Sequence, residues 1–487
     1  MSDASTAPAP DEPLPMGVLA DTGERLSPIH DEVLDFFAGL SGDADNEALA
    51  GKRQASTKHL GVDDDAGDPD ALDGVGWAIL YGSAVSDGIK KKLKPLIDHR
   101  RGQVGNDALF KIFDGPDAYA SGDTVVSWLA KNGKNVANAR VDPNAGVPYY
   151  VLIVASPEDV PFDFQFGLDL HWAVGRVWFD NEEDFGRYAE SVVAYETAGS
   201  VPTSRQLTVF SPRNGQDAAM NLLCDKLAAP MLQPTATKPP FGAQQKFRPQ
   251  SFIGDPATRE TLDRIWRGKI PGGPPAVLFT GSHGMAFFSG DVRQTAEQGA
   301  IVCGDWAGVD PPKASTYCAA KDVPADAHVH GMIHILFACY GAGWPKYDTY
   351  SEMAERHSLV APAPAMSRLP QRLLAHPNGG ALAVMAHVDR AWSSSYCSKD
   401  ISRIEGFRTV MNRLMSGKRV GNAIDAWNEN WAFISADLVQ EMRNFEEGFG
   451  DRIKLKNLWI TRDDARNYIV FGDPAVQLRT DKMPVLS

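Results

Sequence analysis

The feature that most constrains this chain is a series of short, uniformly apolar runs separated by amphipathic segments. GWAILYG (76–82), PYYVLIVAS (148–156), QLTVFSP (206–212), PPAVLFTG (274–281), MIHILFA (332–338) and GGALAVMAH (379–387) are apolar throughout rather than alternating. A strand needs that pattern only when both of its faces are covered, the situation of a parallel sheet with helices on either side. LFKIFDG and the closing NYIVFGDP read as further strands, and GAIVCGD and HVHGMIHILFACYGAG as longer strand segments. Between them lie helical patterns with recognisable ends. SDGIKKKLKPLIDHR starts at Ser86 with Asp87 in its first turn and ends on basic residues; GDTVVSWLAKNG stops at glycine; NEEDFGRYAESVVAYET and NGQDAAMNLLCDKLA follow later strands. The expected fold class is α/β: mostly parallel sheets flanked by helices on both faces, in two subdomains side by side.

At 487 residues the chain exceeds one ordinary core. Composition divides it. Residues 1–72 are rich in Ala, Pro, Asp and Gly and read as a flexible acidic, proline-rich arm, with one short helix over 28–40. Residues 73–229 form an N-terminal α/β subdomain, 230–255 a Pro-, Gln- and Lys-rich connecting segment, and 256–487 the subdomain carrying the reactive residues. The net charge of −14 argues against nucleic acid and anionic lipid as partners, since phosphate binding needs surplus Lys and Arg. No stretch is long and apolar enough to cross a membrane, and the N-terminus lacks a secretory pattern. Five cysteines without a CxxC pair disfavour a disulfide framework or structural zinc and fit a reducing, cytoplasmic setting.

Two strands run into reactive sequence. AVLFTG leads to Ser282-His283-Gly284, and MIHILFA leads to Cys339-Tyr340-Gly341. In a parallel sheet both ends emerge at one edge, so these residues, 56 apart in the chain, become neighbours. A thiolate nucleophile needs a base to take its proton and return it to the leaving amine. Gly284 lets backbone approach His283 closely, and its N–H with that of Cys339 would stabilise an oxyanion.

These sequences resemble the gingipain-type cysteine peptidases of the caspase-like clan, patchily from about Gly76 to Leu478. LFTGSHGMAF is similar to the family's histidine motif, HILFACYGAGW to its cysteine motif, GGALAVMAHVDRAW to the following strand, and FGDPAVQL to a terminal signature. The resemblance implies a cysteine endopeptidase acting through a thioester, with His283 as base and acid and Cys339 as nucleophile. It further implies Asp159 as the acid orienting the histidine, Asp169 at the floor of a pocket favouring Arg or Lys, and Trp392 near that pocket. A protein or peptide substrate is expected, limited proteolysis of a specific partner above all, with no cofactor and no metal. Secreted gingipains carry trailing β-sandwich domains that this sequence lacks, so a digestive role is not expected.

Other readings compete. His328, His330 and His334 share one face of an extended chain and would suit a metal-dependent hydrolase if they converged. Cys303 in AIVCGDWAG is a rival nucleophile without a His-Gly partner. Tyr347 to Pro377 reads as a lid or a surface loop. An idle scaffold recognising partners through its loops is the non-enzymatic alternative.

Overall fold

The computed structural model describes residues 13–26, 61–136, 139–234, 239–350, 359–398 and 401–485. The helix expected over 28–40 and the middle of the expected lid, 351–358, lie outside them.

The strands are β1 (Gly17–Leu19), β2 (Trp77–Tyr81), β3 (Phe110–Phe113), β4 (Tyr150–Val154), β5 (Ala173–Val177), β6 (Ser204–Ser211), β7 (Arg248–Ile253), β8 (Pro275–Gly281) and β9 (Gly284–Ala286). There follow β10 (Ile301–Val302), β11 (Tyr317–Cys318), β12 (Ile333–Phe337), β13 (Gly343–Trp344), β14 (Ala365–Met366), β15 (Ala383–His387), β16 (Cys397–Ser398), β17 (Ile401–Ser402) and β18 (Tyr468–Gly472). Ten of them make one sheet in the order β3-β2-β4-β5-β18-β15-β12-β8-β6-β7. The architecture is a mixed α/β fold with a large, mostly parallel central sheet flanked by helices, consistent with the caspase-like α/β class expected. β2, β4, β8, β12, β15 and β18 are buried along their whole length, which is why their sequences carry no polar alternation.

One junction in the sheet is antiparallel. β15 and β18 pair Ala383 with Gly472 and His387 with Tyr468, while every other neighbouring pair is parallel. The sheet therefore has two halves that run in opposite directions: β3-β2-β4-β5-β18 and β15-β12-β8-β6-β7. The division expected at residues 230–255 is not a break in this sheet, because β6 before it is bonded to β7 within it and to β8 after it, and the C-terminal β18 joins the first half.

The helices cap as their sequences suggest. Ser86 Oγ accepts from Ile89 N–H, although that segment is two helices, Asp87–Lys92 and Lys94–Val104, split at Leu93 ahead of Pro95. The terminal signature has a structural task. Asp473, fully buried, accepts from Trp77 Nε1 at 3.0 Å and Arg100 Nε at 2.7 Å, and Arg100 also pairs with Glu196, so the interior charges are mutually compensated.

A second, small sheet, β1-β9-β10-β11, sits beyond the end of β8. Its first strand comes from the segment expected to be a flexible arm. Pro13, Pro15, Met16, Gly17 and Val18 are buried there, held by the parallel register Gly17–Gly284, Val18–Met285 and Leu19–Ala286. The apolar island LPMGVLA within a polar stretch is the reason: it has enough hydrophobic surface to fix itself on the body. Among the described residues, no helix is long and apolar enough to cross a membrane.

Candidate functional site

β8 and β12 are adjacent and in register, Gly281 opposite Phe337, and Ser282 N–H extends the ladder to Phe337 O at 3.1 Å. His283 and Cys339 each stand two residues beyond that last pair, at one sheet edge. Both are fully buried. Gly284 explains how closely the two strand ends meet: a Cβ on it would lie 2.0 Å from Cys339 O and 3.0 Å from Cys339 N, so only glycine admits this approach. The close neighbour is the Cys339 backbone itself, not a substrate chain alone.

His283 is held at three points. Nε2 is 2.9 Å from Asp217 Oδ2, the backbone O accepts from Val302 N–H at 3.0 Å, and Trp306 meets the ring edge-on at 6.1 Å between centroids. Nδ1 has no partner among the described residues. A carboxylate only accepts, so in the neutral ring Nε2 carries the proton and Nδ1 is the acceptor. Burial alone would raise the Asp217 carboxyl, but His283, Arg25 Nε at 2.6 Å and Met220 N–H at 2.9 Å bring it well below the usual carboxylate range. Asp217 also caps the helix Ala218–Leu223.

Asp217 was not among the residues singled out from the sequence. The signal for it was a carboxylate at a helix N-cap just beyond β6, a strand whose neighbourhood with β8 the sequence does not announce. Asp159, expected in this role, is elsewhere: Oδ1 accepts from Ser83 Oγ at 2.6 Å and Oδ2 from Ala84 N–H at 2.9 Å. The physical reason is strand direction. β4 belongs to the half of the sheet that runs opposite to β8 and β12, so its carboxyl end emerges at the other edge.

Asp169 does not stand in the groove. It ends the helix Phe162–Asp169; its Oδ1 accepts from Val174 N–H at 3.1 Å and its backbone O from Asn428 Nδ2 at 2.7 Å. β5, which it precedes, is three strands from β12, roughly 14 Å at ordinary strand spacing. Burial holds its carboxyl well above the usual range, which disfavours the charged form that would receive a cation.

Trp392 lies beside the site through its backbone. Pro15 bridges to it antiparallel, its own N–H donates to Asp464 Oδ1 at 3.0 Å, and its ring packs against Tyr350 at 5.0 Å. The turn after Cys339 is locked to this strand: Tyr340 N–H donates to Asp389 O at 2.7 Å, with Tyr340 at φ 59° and Asp389 at φ 67°. Left-handed backbone at two non-glycine residues costs of order 1–3 kcal/mol each and recurs where local geometry matters.

The expected oxyanion donors converge. Gly284 N–H at 3.0 Å and Cys339 N–H at 3.1 Å both donate to a single acceptor, Met16 O. The thiol lies beside it, receiving Ala391 N–H at 3.3 Å, and a Cβ on Gly17 would come within 3.0 Å of Cys339 Sγ. Burial pushes this thiol well up, offset only in part by the Ala391 backbone and the Arg390 charge.

The competing residues disperse. Cys303 is buried, and that burial, with Cys318 as neighbour, raises its thiol far above the ordinary value. The three histidines do not converge, because only His334 is in a strand. His334 Nε2 bonds Thr280 Oγ1 at 2.8 Å and burial lowers its pKa to about 3, His330 Nε2 bonds Ser191 O at 3.1 Å, and His328 N–H bonds Trp266 O. Among the described residues no group of His, Cys, Asp or Glu could hold a metal ion.

No family model matches this chain. No curated protein matches it either. Among solved structures, one described as "Structure of Protease" is similar with a TM-score of 0.49 and 12% identity, over 83% of this chain and 78% of that one.

Proposed function

We propose that this chain is a cysteine endopeptidase, as the gingipain-type resemblance of its sequence implies, with Cys339 as nucleophile and His283 as base. The observation that carries the reading is the pair of N–H groups, from Gly284 and Cys339, aimed at one peptide carbonyl beside the Cys339 sulfur. Those donors are where charge would develop as a thiolate adds to that carbonyl, and fixed donors act strongly where water is excluded. Asp217 holds the proton on Nε2, so Nδ1 is the nitrogen that takes the thiol proton and later gives it to the leaving amine. The substrate is a protein or peptide in extended conformation, bound against Ala391–Ser393. Limited cleavage of a specific partner in a reducing compartment fits a site that its own chain covers.

The test is hydrolysis of a peptide library and alkylation by a peptidyl electrophile. Wild type should do both, Cys339→Ala neither, and His283→Ala should retain only slow alkylation. A Cys339→Ala chain that still cleaves at the wild-type rate overturns the assignment.

A further inference from the structure

The segment Leu14–Leu19 occupies the groove in the manner of a substrate. On one side of the Met16 carbonyl it pairs antiparallel with 391–393: Met16 N–H to Ala391 O at 2.8 Å, Ser393 N–H to Leu14 O at 2.9 Å, and Leu14 N–H to Ser393 Oγ at 2.8 Å. Alternate residues of a strand face opposite ways, so the residue between Leu14 and Met16 needs no N–H, and Pro15 sits there without loss. On the other side Gly17, Val18 and Leu19 pair with β9, and Ala20 N–H reaches Ala286 O at 2.9 Å. The carbonyl between these two stretches is the one that both donors grip.

The residues flanking that carbonyl are closely enclosed by the body of the protein. A side chain on Gly17 would crowd the site, because its Cβ would lie 2.5 Å from Leu26 Cδ1, which would have to move, and 3.0 Å from the Cys339 sulfur. Met16 is fully buried in the main hydrophobic core. The acids near the thiol already have partners: Asp348 pairs with Arg390, and Asp389 accepts from Thr349 and Arg390 N–H. A buried Arg or Lys in place of Met16 would need a carboxylate released from one of these.

We infer that the chain cleaves itself between Met16 and Gly17, and that the groove is built for an unbranched apolar side chain before the scissile bond and glycine after it. The inference rests on the peptidase reading. Cys339 Sγ adds to the Met16 carbonyl carbon as its proton passes to His283. The C–N bond to Gly17 then breaks, the proton goes to the Gly17 amine, and a thioester to Met16 remains. Water hydrolyses the thioester, leaving a carboxylate on Met16 and returning the proton to the thiol. Departure of residues up to Met16 uncovers Cys339 and both oxyanion donors.

The experiment incubates full-length wild type, Cys339→Ala and Gly17→Val chains and reads intact mass and N-terminal sequence. It also compares hydrolysis of acetyl-Leu-Pro-Met-Gly-Val-Leu with its Met→Arg counterpart. Expected are a new Gly17 terminus in wild type, none in either variant, and at least a tenfold preference for the Met peptide. A wild-type chain that hydrolyses peptides through Cys339 yet keeps its own 16–17 bond, or prefers the Arg peptide, overturns this inference and leaves the peptidase reading standing. No hydrolysis of any peptide together with no alkylation of Cys339 sinks both.

Discussion

Replacing Asp217 by Asn isolates what its negative charge contributes. The amide keeps the volume, and its oxygen can still accept from Met220 N–H to cap the following helix. What changes is the partner of His283 Nε2, 2.9 Å away with both side chains fully buried. A carboxylate fixes the proton on Nε2; an amide can turn its NH2 toward the ring, favouring the tautomer that carries the proton on Nδ1, which then cannot accept from the thiol. A hydrogen bond to a charged group is worth about 1.5–3 kcal/mol net, equivalent to roughly 10- to 100-fold in rate. Inverting the tautomer extends the loss toward about 10⁴, the size of the corresponding change in a Ser-His-Asp triad. Peptide hydrolysis by Asp217→Asn should therefore show kcat/KM lower by about 10²–10⁴ with KM little changed, while Asp159→Asn stays near wild type. The same charge leaves a thermodynamic trace. The Asp217 pKa is depressed on folding, so its contribution is fully present above the unfolded value of about 4 and is lost as pH falls below it. The stability gap between wild type and variant, measured by urea unfolding, should narrow on acidification from about pH 5. An Asp217→Asn enzyme within threefold of wild type would refute the reasoning.

Three other outcomes follow from the geometry. Gly284→Ala should abolish peptide hydrolysis and lower the thermal midpoint, because its Cβ would sit 2.0 Å from Cys339 O, a backbone atom that cannot yield. Asp169→Ala should cost about 1–3 kcal/mol in urea unfolding by orphaning the buried Val174 N–H, yet leave the residue preference of cleavage unchanged in a peptide profile. Asp389, raised by burial and then by Asp348 to about 6, holds its proton more tightly folded than unfolded. Its ionisation therefore opposes folding increasingly from about pH 4 and fully above about pH 6, so Asp389→Asn should be more stable than wild type at pH 8, by up to about 3 kcal/mol, with the advantage shrinking toward pH 4.

The sequence by itself determined the strands and the two reactive strand ends. Uniformly apolar runs such as YVLIV and AVMAH can only be buried, and a His-Gly and a Cys-Tyr-Gly placed directly after such runs must lie at a sheet edge. Gly284 was legible because the absence of a side chain is itself local information. Strand neighbourhood was not. That β6 lies against β8 is decided by packing between segments some 70 residues apart, and it is this that brings Asp217 to His283. The reversal at β15 and β18 was equally silent in the sequence, since a buried strand reads the same in either direction; it sent Asp159 to the far edge and left Asp169 three strands away. The arm departs from its expectation for the converse reason: composition averaged over 1–72 hides the short run LPMGVLA, whose apolar surface fits one groove of the body. Local chemistry is written in the order of residues, whereas the partners of that chemistry are chosen by contacts distant in sequence, which only the folded chain supplies.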